Sequence, residues 1–179
     1  MVYLFLADGF EEIEALTPID MLRRAKIDVT SVSINETRLV TGAHGIEVFA
    51  DKTIADITPN DIDAVILPGG LPGADNLRYN PTVQAFIDVA VKEEKLVCAI
   101  CAAPRILGEK GLLVGKKAIC YPGFEQYLTG AEIVDTGCVR DGNIITSKGM
   151  GKAVDFSCAI IEALLDKQTA EKIKGSIFA

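Results

Sequence analysis

The sequence has no tryptophan, only one histidine and no excess of positive charge. Lysine and arginine total 18 against 25 aspartates and glutamates, which gives a net charge of −7. Proteins that bind nucleic acid or anionic membranes usually carry a basic patch, and base stacking needs aromatic side chains, which make up 6% here. We therefore expect neither nucleic acid nor a membrane surface as a partner.

Long apolar runs are also missing, and none approaches the roughly 20 residues that cross a bilayer. The N-terminus lacks the basic segment and cleavage site of a signal peptide. The five cysteines are an odd number and show no disulfide framework. These features predict a cytoplasmic protein kept reduced, and a length of 179 residues predicts a single domain over 1–179.

Strand and helix patterns alternate along the chain, which predicts an α/β fold with a mostly parallel central sheet. Strands are predicted at residues 2–7, 27–34, 64–67, 96–100, 117–120, 133–135 and 143–147. Helices are predicted at residues 11–25, 81–92, 104–111, 124–128, 149–165 and 169–174, with a helical turn at 58–61 and a β-hairpin at 40–54. Pro18 lies inside the first helix and is expected to kink it.

The chain is organised around the segment that leads into Cys101. Residues 96–100 are all apolar, which is typical of a strand buried on both faces, and Pro104 suits the first turn of a helix. Cys101 should therefore lie on a tight turn where free N–H groups and the helix dipole stabilise a thiolate. We predict that it is the most acidic of the cysteines and a nucleophile. The simpler interpretation is a buried cysteine at a strand end.

Two other loops should meet Cys101, because ligands of open α/β sheets bind beyond the carboxyl ends of the strands. Gly69 and Gly70 follow the strand at 64–67, and their N–H groups, with that of Ala102, could form an oxyanion hole. Glu14 lies on the inward face of the first helix, where burial beside a thiolate would keep it protonated. Glu11 and Glu12 need no such role, because acidic residues at a helix start are stabilising anyway.

Other arrangements of the cysteines and the histidine are less favoured. Cys98 precedes Cys101 by three residues but lies inside a strand, so we expect no working redox disulfide between them. Neither the remaining cysteines nor His44 show the spacing of zinc ligands, so no metal site is expected. His44 lies in a predicted hairpin turn, and nothing places it within reach of Cys101 as the base of a peptidase.

Four segments together resemble the ThiJ/PfpI superfamily, most closely its Parkinsonism-associated deglycase branch and the bacterial YajL-type proteins. They are residues 7–15, 67–70, 99–104 and 145–149. The resemblance implies a flavodoxin-like three-layer sandwich, usually a homodimer. It also implies that Cys101 is an oxidation-sensitive nucleophile, Glu14 its protonated partner, and Gly70 and Ala102 the oxyanion-binding amides.

One position departs from that branch, which carries a histidine where this chain has Tyr121. Tyrosine donates and accepts hydrogen bonds, but a pKa near ~10 makes it a poor base at neutral pH. Tyr121 is therefore expected to line the substrate site rather than to act as a general base.

The resemblance and the Cys101 turn together predict an enzyme without cofactors that acts on a small carbonyl substrate, in defence against oxidative stress. Substrates would be glyoxal, methylglyoxal or a glycated adduct, handled in a hydratase- or deglycase-like reaction. The alternative is a non-catalytic redox sensor or chaperone in which Cys101 is oxidised to a sulfinate. A cysteine peptidase or amidase is the third interpretation, and it would require His44 from a neighbouring subunit.

Overall fold

The computed structural model describes all residues from Met1 to Ala179 and is built on a seven-stranded sheet. The strands run in the order β10-β11-β7-β6-β1-β2-β5. Their bounds are β1 (Val2–Leu6), β2 (Val29–Ser33), β5 (Lys52–Thr53), β6 (Ala64–Leu67), β7 (Leu96–Ile100), β10 (Cys138–Asp141) and β11 (Ile144–Ser147). Every neighbouring pair is parallel except β10 and β11. Two small sheets pair β3 (Leu39–Thr41) with β4 (Glu47–Phe49) and β8 (Lys117–Ala118) with β9 (Glu132–Ile133).

Helices cover both faces of the central sheet. They are α1 (Glu12–Arg24), α2 (Gly73–Tyr79), α3 (Pro81–Lys92), α4 (Pro104–Glu109), α5 (Ala153–Leu164) and α6 (Lys167–Ser176). Alternate residues of β1 point to opposite sides, so Leu4 packs in one apolar cluster with Ile160 of α5. Phe5 packs in a second cluster, against Phe86 of α3. The predicted flavodoxin-like three-layer sandwich with a mostly parallel sheet is confirmed.

The sheet order brings four strand ends to one edge. Strands β11, β7, β6 and β1 are consecutive neighbours and parallel, so their carboxyl ends lie side by side. The chain leaves these strands just before Lys148, Cys101, Pro68 and Ala7. This edge is therefore the place where loops from distant parts of the sequence meet.

Some predicted elements in the first half of the chain are wrong. Residues 58–61 form no helix; the helical turn lies at Ile54–Asp56 instead. It forms there because the Asp56 carboxylate accepts hydrogen bonds from the N–H and hydroxyl of Thr53, which caps the turn. The sequence pattern does not predict helix α2, because the proline- and glycine-rich residues before it favour a loop. Helix α1 continues through Pro18.

Predictions in the second half fail mainly at the sheet margin. The strand expected at 117–120 is only β8, which pairs with β9 outside the central sheet. The partner of β11 across the Asp141-Gly142 turn is β10, not residues 133–135. The helix predicted at 124–128 is a 3-10 turn at Glu125–Tyr127, and the long helix after Gly149 begins with another at Met150–Lys152. No helix of the protein has the length and apolar character needed to cross a membrane.

Candidate active site

Cys101 lies on the predicted turn between β7 and α4. Its φ of 65° is in the left-handed region that residues other than glycine rarely adopt. The turn is held from both sides, because the Cys101 N–H donates to the carbonyl of Ser147 at 2.9 Å and its own carbonyl accepts from the Tyr121 N–H at 2.8 Å. Helix α4 begins at Pro104, as the sequence predicts. The fold thus fixes the position of the sulfur in an unusual backbone conformation.

Glu14 reaches the same point from α1. Its side chain is 1% exposed, and its carboxyl group lies beside the Cys101 sulfur, close enough for each group to shift the pKa of the other. Oxygen Oε2 also accepts a hydrogen bond from the Gly69 N–H at 2.9 Å, whereas Oε1 is buried without a partner. The predicted inward direction of Glu14 is what the structure shows, and the backbone N–H of Met150 also acts on this carboxyl group and lowers its pKa.

Gly69 and Gly70 play different parts. A Cβ on Gly69 would lie 2.6 Å from both Cys101 Cβ and Glu14 Oε2, so only glycine lets these groups approach each other. Because the Gly69 N–H is bonded to Glu14, the expectation that it serves an oxyanion hole is wrong; it positions the carboxyl group instead. The N–H groups of Gly70 and Ala102 act on the sulfur and lower the pKa of the thiol. Gly70 has a φ of 85°, which favours glycine at this position.

Burial raises the pKa of Glu14 to about 7, although hydrogen bonds from Cys101 and Gly69 act against this shift. The same desolvation, together with the charge of Glu14 and its hydrogen bond to the sulfur, raises the pKa of Cys101 to about 12. The predicted lowering of the Cys101 pKa is therefore outweighed, and burial also raises the pKa of Cys138, to about 11. The amides of Gly70 and Ala102 lower the pKa of Cys101, but burial and Glu14 outweigh them.

Glu14 and Cys101 titrate as one unit. Glu14 opposes ionisation of the thiol only while its carboxylate is charged. A protonated Glu14 carries no charge and can donate its proton to a thiolate. Above about pH 7 the pair has lost one of its two protons, and the remaining proton is shared between oxygen and sulfur.

A cavity of about 530 Å³ opens above this pair. It is lined by Glu11, Glu14, Cys101, Tyr121, Pro122, Lys148, Gly149, Met150, Gly151 and Lys152. The sequence prediction included Tyr121 but missed the segment from Lys148 to Lys152. That segment follows β11, the neighbour of β7, so the strand-end rule could have found it had the sheet order been known.

Glu12 and His44 form a second polar cluster beside Glu11. Oxygen Oε2 of Glu12 lies 2.7 Å from His44 Nδ1, and Oε1 accepts from the His44 N–H at 2.8 Å. Burial raises the pKa of Glu12, but the bonds to His44 outweigh it and the net shift is downward. Glu12 is thus a buried carboxylate at the helix start, held by its bonds to His44.

The same cluster contains the only grouping of metal-ligand side chains. One ligand atom each from Glu11, Glu12 and His44 lies within 4.8 Å of the others, a set that suits a divalent cation. The direct bond between Glu12 and His44 already pairs their charges. His44 does not line the cavity above Cys101, which leaves that thiol without a histidine base in this chain.

Comparisons with known proteins agree with this geometry. The model of the DJ-1/PfpI family matches residues 1–163. The chain is 39% identical over 178 residues to protein DJ-1 homolog B of Arabidopsis thaliana, covering 98% of this chain and 41% of that protein. It thus spans less than half the length of this relative.

Two other comparisons cover nearly the full length of both partners. Protein dj-1beta of Drosophila melanogaster is 34% identical over 179 residues, which is 98% of this chain and 96% of that protein. The solved structure of Toxoplasma gondii DJ-1 in an oxidised form is 35% identical and superposes with a TM-score of 0.95, covering 99% of this chain and 97% of the other.

Proposed function

The chain belongs to the DJ-1/PfpI family, and we propose that it is an enzyme that uses Cys101, without a cofactor, to convert small reactive carbonyl compounds into hydroxy acids. Methylglyoxal and glyoxal are the simplest substrates, and glycated adducts of them are a related class. The observation that carries this proposal is the buried Glu14 carboxyl group beside Cys101 below an open cavity, with the N–H groups of Gly70 and Ala102 lowering the pKa of the thiol.

In the first step, the Cys101 thiolate attacks the aldehyde carbon and forms a carbon–sulfur bond. The carbonyl electron pair moves onto oxygen, and the N–H groups of Gly70 and Ala102 stabilise the resulting charge. Glu14 then supplies its proton to that oxygen, which gives a neutral hemithioacetal. This use of Glu14 requires a protonated carboxyl near neutral pH, which agrees with a pKa raised to about 7.

In the second step, Glu14 as a carboxylate removes the proton from the former aldehyde carbon and returns it to the adjacent ketone carbon. The hydroxyl proton of the first carbon moves to the ketone oxygen, so the first oxygen becomes a carbonyl and the second a hydroxyl. The first carbon is thereby oxidised to a thioester while its neighbour is reduced to an alcohol, so no external electron acceptor is needed. Water then cleaves the thioester, releasing the hydroxy acid and restoring the thiol. Methylglyoxal plus water gives lactate in balance.

We also propose that the protein acts as a cytoplasmic homodimer of single-domain chains. Four large apolar side chains on α1 and on the β3–β4 hairpin are exposed, namely Ile13, Leu16, Ile46 and Phe49. Exposed apolar side chains concentrated in neighbouring elements favour a protein interface. A second copy is the partner that this family leads us to expect.

A redox sensor is the second candidate, and the free Oε1 of Glu14 supports it. Two molecules of peroxide would each transfer one oxygen atom to Cys101, first forming a sulfenate and then a sulfinate, and each peroxide would be reduced to water. The sulfinate oxygens would accept hydrogen bonds from protonated Glu14 and from the N–H groups of Gly70 and Ala102. Such a protein needs no turnover.

Lactate production from methylglyoxal by the wild type and by Cys101→Ser separates these functions. Cys158→Ser is a suitable control, because Cys158 is a half-buried thiol on α5 that does not line the cavity. We expect turnover in the wild type and the control and none in Cys101→Ser. If the wild type shows no turnover above Cys101→Ser, while peroxide selectively converts Cys101 to a sulfinate, the enzymatic proposal fails and the sensor is favoured.

A further inference from the structure

The cavity above Cys101 has walls of opposite charge. Glu11 and Glu14 come from the start of α1, whereas Lys148 and Lys152 come from the segment after β11. The reaction proposed at Cys101 uses Glu14 from the acidic wall, but neither lysine has a role in it. Whether their charges are free to act on a bound molecule depends on their ion pairs.

Lys152 shares its only acidic partner with a second lysine. Its Nζ lies 3.4 Å from Asp155 Oδ2, whereas the Nζ of Lys174 lies 2.9 Å from Asp155 Oδ1. The hydrogen bond from Lys174 is the main cause that lowers the pKa of Asp155. The three groups together carry one positive charge in excess, and Lys152 is the member that faces the cavity.

The position of Lys152 depends on a glycine. Its aliphatic stem lies across Gly137, where an added Cβ would come within 2.6 Å of Lys152 Cδ and Cε. The carbonyl of Gly137 in turn accepts hydrogen bonds from the Lys148 N–H and the Ser147 hydroxyl, both at 2.9 Å. These contacts tie the Lys148 backbone and the Lys152 side chain to the loop before β10 and hold both residues beside the cavity.

Lys148 has a weak partner. Its Nζ lies 3.3 Å from Asp135 Oδ1, and the Asp135 side chain is 97% exposed. An ion pair so open to water contributes little to stability, and either charge can turn to another partner. Lys148 can therefore exchange Asp135 for an anion in the cavity.

We propose that this site takes carbonyl compounds that carry a carboxylate or phosphate group at the end remote from the reacting carbonyl. The anionic group binds to Lys148 and Lys152, while the carbonyl lies against Cys101 and its oxygen accepts a hydrogen bond from the protonated Glu14 carboxyl group. The Glu11 carboxylate on the opposite wall repels the anionic end and so favours this single orientation. The identity of the reaction rests on the function proposed above, but the preference for anions does not.

Alkylation of Cys101 by iodoacetate and by iodoacetamide tests the preference without turnover. The two reagents share a leaving group and differ in charge, so the ratio of their rates cancels any change in the thiol itself. We expect Lys152→Gln to lower the ratio of the iodoacetate rate to the iodoacetamide rate about two- to threefold. Coulomb's law gives this factor for two unit charges separated by about 9 Å of water. The double variant with Lys148→Gln should lower it by about fivefold, and high salt should abolish the difference.

Lys95→Gln is the matched control, because it removes the same charge at the opposite end of β7, where Lys95 precedes Leu96. An unchanged ratio in Lys152→Gln, or an equal fall in Lys95→Gln, would overturn the inference.

In a second arm, methylglyoxal is compared with its derivative phosphorylated at the third carbon. We expect the lysine variants to raise KM for the phosphorylated compound alone. If neither compound is turned over, the proposed reaction fails, and the alkylation ratio still decides whether the cavity favours anions.

Discussion

At the scale of residues, the chemistry depends on two groups that share one proton. An isolated cysteine at a helix start would have a lowered pKa, because N–H groups and the dipole favour its anion. Here burial and the Glu14 carboxyl group act in the opposite direction on Cys101. The thiolate therefore forms when Glu14 holds the shared proton. The carboxyl group thus controls whether Cys101 is in its nucleophilic form.

Removing the Glu14 charge should simplify the titration of Cys101. In the wild type, the pair should lose its first proton near pH 7 and its second near pH 12. In Glu14→Gln, the thiol should titrate in one step between these values, because the carboxylate charge that opposes ionisation is gone. The rate of Cys101 alkylation against pH measures both curves. Identical curves in the two proteins would show that the groups are not coupled.

Residue patterns predict the members of this pair but not their surroundings. The helical spacing of α1 predicts that Glu14 points inward, and Pro104 after an apolar strand predicts the turn at Cys101. Burial of Glu12 depends on His44, which is 32 positions away along the chain. The pKa of Cys101 depends in the same way on contacts with α1 and with the loop after β6. Such long-range contacts leave no local signal in the sequence.

At the scale of elements, the buried centre of the sheet was the easiest part to predict. Strands β6 and β7 are continuous apolar runs, because both of their faces are covered by helices. The small β8–β9 sheet and the antiparallel β10 lie at the margin, where partly exposed residues give weaker patterns. Turn residues alone did not show which segment pairs with β11.

The β3–β4 hairpin and α1 should form the interface between two copies. Phe49 is 75% exposed in the single chain, and Ile13 is another large apolar side chain that is exposed there. Phe49→Asp should therefore convert the dimer into monomers at micromolar concentration, as measured by sedimentation. Phe178→Asp is the control, since Phe178 is 99% exposed at the C-terminus. A wild type that sediments as a 19.1 kDa species would contradict the dimer.

At the scale of the whole molecule, burial of Glu14 makes stability depend on pH. Its pKa is raised from 4.5 to about 7 in the folded protein. The folded state therefore binds the proton more tightly, and this stabilisation is complete below pH 4.5 and is lost as the pH rises through 7. A site built for proton transfer thus costs stability under the conditions in which it works.

Glu14→Gln should remove this dependence. The free energy of unfolding of the variant, relative to the wild type, should rise by about 3 kcal/mol between acidic pH and pH values above the raised pKa. Urea denaturation at several pH values measures the difference, and groups such as His44 titrate in both proteins and largely cancel. A difference that stays constant over this range would mean that Glu14 is not protonated in the folded state.

The proposal that Glu14 and Cys101 together perform catalysis is tested most directly by turnover of methylglyoxal in Glu14→Gln, with Cys101 alkylation measured in the same samples. Glutamine can donate a hydrogen bond to sulfur but cannot give up and regain a proton. We predict that turnover falls about 10²–10⁴-fold, the usual contribution of general acid–base catalysis, while Cys101 remains reactive to alkylation. Turnover equal to that of the wild type would contradict the mechanism.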